Sequence, residues 1–98
     1  MVTPRPGEKD VHPIRWQSVK VSKGGRALEV HFRSGVAPCS VLDRVGVRSR
    51  PTTVQVTLYE GRAPVSHDTA CIDIAQLKVV VVHLGEPLGG RKVVDGAR

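Results

Sequence analysis

From Thr53 to Glu60 the chain alternates strictly, with Val54, Val56 and Leu58 on one side and Thr53, Gln55, Thr57 and Tyr59 on the other. Only an extended backbone puts every second residue on one face, so this stretch predicts a half-buried β-strand. The pattern recurs in Arg26 to Arg33, where Leu28, Val30 and Phe32 oppose Glu29, His31 and Arg33. Before it, Ser22-Lys23-Gly24-Gly25 supplies glycines able to take positive φ, which predicts a hairpin with the preceding run Ile14 to Val21. In that run Ile14 and Trp16 share one side and Val19 and Val21 the other. The slip near Gln17 and Ser18 predicts a bulge within a single strand.

The remaining segments continue the same theme. Ser34 to Pro38 breaks the chain before Cys39, and Val41 to Arg48 resumes with Val41, Val45 and Val47 on the face they share with Asp43. An aspartate on an apolar face marks an edge or a bend, or pairs with a base such as Arg44 or Arg48. Gly61 to Ala70 has no periodicity and reads as a surface loop, while Cys71 to Ala75 fits either a strand start or a helical turn. Gln76 to Leu84 contains the unbroken run Val79 to Val82, apolar on both faces, which predicts a central strand covered on both sides. Arg91 to Asp95 is a short last strand before a disordered tail. Aromatic residues are only 3% of the chain, so β-branched valine fills the interior, which favours strands again. The fold expected is all-β: a small antiparallel β-sandwich, immunoglobulin-like, of six to seven strands with one disulfide, an open barrel being the alternative. Residues 1–13 are expected to form a flexible lead and residues 14–96 a single domain.

Cys39 and Cys71 are the only two cysteines, and they lack the CxxC spacing of a redox or zinc motif. An even pair in a chain this short favours a disulfide and an oxidising compartment; two buried free thiols are the alternative. Closing the 39–71 loop would contribute roughly 3 to 4 kcal/mol by chain-entropy arithmetic. Nothing approaches 18 consecutive apolar residues, and Met1 to Asp10 has no apolar signal segment. The expectation is therefore a mature extracytoplasmic domain, secreted or lipid-anchored in a longer product, or a cytoplasmic protein if Met1 is the native start.

The formal net charge is +6 and the pI about 10.0. The excess is graded along the chain rather than clustered, and Trp16, Phe32 and Tyr59 stand far apart with no basic cluster around them, which argues against nucleic acid. His12, His31, His67 and His83 lack metal-ligand spacing, and His67-Asp68 reads as part of a solvated loop. No serine sits in a G-x-S-x-G setting, no paired carboxylates are visible, and Gly24-Gly25 and Gly89-Gly90 read as turns rather than phosphate loops. No enzyme activity, cofactor or metal is expected. The candidate binding surface is a basic sheet face formed by Arg15, Lys20, His31 and Arg33 beside Glu29. Its expected partner is an anionic cell-surface polymer or another protein, with the chain a monomer; a cytosolic nucleic-acid binder is the alternative.

Four spaced pieces, SGVAPCSVLDRV, VTLYEG, the segment from Ala70 to Lys78 and EPLGGRKVVDG, resemble a small domain of actinobacterial secreted proteins and lipoproteins, over about Trp16 to Gly96. The resemblance implies an exported domain that follows a signal or lipid-attachment segment, with Cys39 and Cys71 as disulfide partners. It implies no activity and no functional residues.

Overall fold

A computed structural model describes residues 1–64, 71 and 74–97. Seven strands follow one another: β1 (Lys9–Ile14), β2 (Ser18–Val21), β3 (Ala27–Ser34), β4 (Val41–Ser49), β5 (Thr53–Arg62), β6 (Gln76–His83) and β7 (Lys92–Asp95). They form two sheets. In the four-stranded sheet β5 is central, with β4 along one edge and β1 and β7 sharing the other; the three-stranded sheet has the order β2-β3-β6. Every pairing is antiparallel except that of β7 with β5, which is parallel. The all-β sandwich with one disulfide is thus as the alternation predicts, and its layout is consistent with the immunoglobulin-like style.

The core is the inward set of both sheets: Leu28, Val30 and Phe32 from β3, Leu42 from β4, Val54, Val56 and Leu58 from β5, Val80 and Val82 from β6, and Leu88. Seven of these side chains are at most 1% exposed, among them Phe32, Leu28 and Leu58, so the two alternating runs are the two halves of the core. Gly24 and Gly25 adopt φ of 84° and 69° in a short 3-10 turn between β2 and β3. A side chain at either position would be strained, as the hairpin reading requires.

The structure revises four expectations. Residues 1–13 are not a free lead: β1 pairs with β5, Val2 N–H bonds the Val79 carbonyl at 2.8 Å, and Arg5 N–H bonds that of Leu42 at 2.9 Å. The segment thereby straps the edge of one sheet to the edge of the other. Second, Ile14 to Val21 is not one bulged strand. The slip at Gln17 and Ser18 is where the chain leaves the four-stranded sheet and enters the other, with the Trp16 indole donating to the Val56 carbonyl at 3.0 Å.

Third, β6 is an edge strand, not a central one, and only Val80 and Val82 of the valine run reach the core. Val79 and Val81 lie opposite His31 and Glu29 on the outer face, half-buried by their neighbours. A continuous apolar run cannot separate an edge strand with a partly covered outer face from a strand covered on both sides. Fourth, the tail is ordered up to Ala97: Gly96 N–H bonds the Val56 carbonyl at 3.0 Å, and Ala97 N–H bonds Asp95 Oδ1 at 2.9 Å. The loop carrying His67-Asp68 lies outside the described residues.

Asp43 explains the phase of β4. Leu42 pairs with Glu60 and Arg44 with Tyr59, so Asp43 is an extra residue in the strand, a β-bulge. Its side chain is 6% exposed, and Oδ2 accepts the backbone N–H groups of Gly7 at 3.0 Å and Glu8 at 3.1 Å while Oδ1 meets Arg44 Nη1 at 3.2 Å. The buried carboxylate is satisfied, and it pins the N-terminal segment in place.

Candidate functional site

Cys39 and Cys71 are joined by a disulfide with Cα atoms 5.7 Å apart. Cys39 lies in the crossover from β3 to β4 and Cys71 in the one from β5 to β6, so the bond ties together two of the connections by which the chain changes sheet. A disulfide fits an oxidising environment. No helix of the described residues is long and apolar enough to cross a membrane.

Beside that end of the sandwich lies a polar cluster between the layers. Ser34 donates to Glu60 Oε1, and Lys78 Nζ reaches Ser34 Oγ at 3.3 Å and the Ser40 carbonyl at 3.5 Å. Burial pushes the Glu60 carboxyl above its ordinary range, partly offset by the charges of Lys78 and His12. Burial likewise pushes the Lys78 amine down, with Glu60 acting the other way. A serine beside a lysine of lowered pKa has the outline of a nucleophile and its base. Its geometry works against that use, because the Ser34 hydroxyl is directed to Glu60 and the residue is buried. The adjacent cavity of about 280 Å³ is walled by Lys78, Gln76, Ser40 and residues of the N-terminal segment, and Ser34 is not among its walls. The cluster bridges the layers through satisfied hydrogen bonds. Among the described residues, no group of three or more His, Cys, Asp or Glu is placed to hold a metal ion.

The basic face expected from the sequence falls on the outer side of the three-stranded sheet. Lys20 pairs with Glu29, Ser18 with His31, His31 with Val79 and Arg33 with Leu77, and paired residues share a face. The structure therefore brings Lys20, His31 and Arg33 together. Arg15 falls outside the paired strands, in the link between β1 and β2. The face is mixed in character: Glu29 stands 3.9 Å from His31, and Val79, Val81 and Leu77 supply an apolar row beside the charges.

A more uniformly cationic surface lies on the other sheet. Because of the bulge, Arg44 pairs with Tyr59, Gly46 with Thr57 and Arg48 with Gln55, while Lys92 and Val94 of β7 pair with Thr53 and Gln55. None of these residues on the shared outer face is acidic. Arg44 stacks on the Tyr59 ring, its guanidinium carbon 4.2 Å from the ring centre. Between the two arginines Gly46 leaves a notch: a Cβ there would sit 3.3 Å from the Tyr59 ring edge. Gly46, Val47, Arg48, Gln55, Thr57 and Tyr59 line a shallow pocket of about 320 Å³. The alternation of β5 places Gln55, Thr57 and Tyr59 outward, but Arg44 and Arg48 come into register with them only through the bulge.

Among the described residues, most carboxylates are engaged within the molecule. Asp10 pairs with Arg62 at 2.6 Å, Glu86 with Arg91 at 3.4 Å, Asp95 Oδ2 accepts the Trp16 N–H at 2.9 Å, and Asp43 and Glu60 are bound as described. Glu8 Oε2 is the exception, a buried oxygen without a hydrogen-bond partner among the described residues. Lys20, Arg33, Arg48 and Lys92 form no ion pair among the described residues. No family model matches the chain, and neither a curated protein nor a solved structure shows significant similarity to it.

Proposed function

We propose that the chain is a non-enzymatic, extracytoplasmic β-sandwich module that acts at the cell surface by binding an anionic polymer. The observation that carries this reading is the division of charge among the described residues: most carboxylates turn inward or pair with neighbours, while Lys20, Arg33, Arg48 and Lys92 remain unpaired there on the outer faces of the two sheets. Such a surface attracts extended anions without a deep cleft, and attraction between exposed charges is screened within about a Debye length of roughly 8 Å at physiological salt. The disulfide supports a location outside the reducing cytoplasm, in a secreted or lipid-anchored product. The likeness of its sequence pieces to domains of actinobacterial secreted proteins points the same way. Titration of the protein with a polyanion at two salt concentrations tests the reading. Binding at low ionic strength that weakens steeply with added salt is the expected result; no binding to any polyanion at low salt would refute it.

A further inference from the structure

We infer that the outer face of the four-stranded sheet, around the Gly46 notch, is a binding site for a carboxylate-bearing polysaccharide. This deepens the proposed function, and rests on it, by naming the site and the ligand chemistry.

Three features converge there. Arg44, Gly46 and Arg48 lie at alternate positions of one strand, so two guanidinium groups flank a position with no side chain, their Cα atoms about 13 Å apart by strand geometry. Arg44 is also held in place: Tyr59 supports its flat face and Asp43 binds Nη1, while its side chain stays 59% exposed. A guanidinium already stacked loses little freedom on meeting a carboxylate, with which it makes two parallel hydrogen bonds.

The third feature is the notch lining. Gln55 and Tyr59, both partly exposed, carry an amide and a hydroxyl, groups that both donate and accept hydrogen bonds and therefore match sugar hydroxyls, while Thr57 between them is buried and forms the floor. A ligand that uses every part of this surface carries acid groups spaced along a polyol. Single-stranded nucleic acid would need a bare aromatic face for base stacking, and here Arg44 already covers a face of Tyr59. The three-stranded sheet, with its valine and leucine row and its Glu29, offers a less suitable match.

The test uses the full chain with polygalacturonate, neutral dextran and a dT oligonucleotide as probes, at low and physiological salt, followed by amide chemical-shift mapping. Shifts confined to residues 44–48 and 55–59 with polygalacturonate, and absent with dextran, are expected. Arg48→Gln, an exposed change with no effect on folding, should weaken binding about tenfold, the scale of one charged hydrogen bond. Gly46→Leu should block the notch; because it crowds Tyr59, its folding is checked by the unchanged shifts of the three-stranded sheet. Lys20→Gln/Arg33→Gln should leave affinity within a factor of about two. Binding mapped to the three-stranded sheet, or lost in that double variant and kept in Arg48→Gln, overturns the site while leaving the proposed function standing. Equal or tighter binding of the oligonucleotide overturns the ligand class in favour of nucleic acid. No binding of any polyanion removes both readings.

Discussion

The two sheets are built from the same residue types but differ in regularity. The pairings β2-β3 and β3-β6 run without a shift in register, whereas β1-β5 slips between Lys9 and His12 and β4-β5 slips between Leu42 and Arg44. In the regular sheet the alternation of the sequence carries straight through to the surface, and its outer face mixes Lys20, Glu29, His31, Arg33 and valines. In the irregular sheet, one extra residue at Asp43 turns the rest of β4 over. A one-residue shift exchanges the two faces of everything beyond it. It brings Val45 opposite the buried Leu58, and Arg44, Gly46 and Arg48 onto the face of Tyr59. The comparison teaches that one extra residue, held by its own buried carboxylate, gives the irregular sheet an outer face that the simple pattern does not show.

Perturbations that separate the regular from the irregular sheet give unequal effects. The largest should come from Cys39→Ala/Cys71→Ala, which frees two of the crossovers between the sheets: a loss of about 3 to 4 kcal/mol in chemical denaturation, from restored freedom of the unfolded chain. A loss below about 1 kcal/mol would mean that the crossovers are held by other contacts. Next is Asp43→Ala, which leaves the Gly7 and Glu8 N–H groups and the Arg44 guanidinium without their acceptor. A loss of about 2 kcal/mol is expected, with early proteolytic cleavage within residues 1–8. The damage should be confined to the irregular sheet, so amide exchange in β3 should slow or quicken only through global opening.

A smaller effect separates the layers by pH. Glu60 has a raised pKa in the folded protein, so its ionised form is disfavoured there relative to the unfolded chain, whose ordinary value is 4.5. The cost is present in full above the folded pKa, falls as pH drops through it, and is gone below 4.5. Glu60→Gln, which resembles the protonated acid, should therefore exceed the parent in stability at pH 7 by less than about 1 kcal/mol, since the group is half solvated. That advantage should vanish toward pH 4. An advantage that grows on acidification would mean that Glu60 is stabilised as an anion. Smallest of all, Lys20→Gln and Arg48→Gln should each change stability by no more than about 0.5 kcal/mol, because both side chains are exposed and unpaired among the described residues.

The regular parts of the fold were legible from residue alternation. Leu28, Val30 and Phe32, and likewise Val54, Val56 and Leu58, are core residues on the faces that the pattern assigns them. The Ser22 to Gly25 turn and the disulfide follow from residue type as well. Elsewhere the local pattern lacked the information. The slip after Trp16 marks a change of sheet rather than a bulge, and both events have the same signature in sequence. The valine run of β6 does not say which strands flank it. Strand formation by Lys9–Ile14, despite Pro13, depends on the open edge of β5 and on Asp43, both distant in sequence. The outer face of the irregular sheet escapes the local pattern for the same reason: Asp43 is visible as an anomaly on an apolar face, but reading it as an inserted residue, which moves Arg44 and Arg48 beside Tyr59, requires knowing what lies across the strand.

Nuclear Overhauser contacts between β4 and β5 test the central claim most directly. A bulge at Asp43 predicts backbone contacts of Arg44 with Tyr59, Val45 with Leu58 and Gly46 with Thr57. Contacts of Asp43 with Tyr59 and Val45 with Thr57 would show an unbroken register, and the cationic outer face would then not exist.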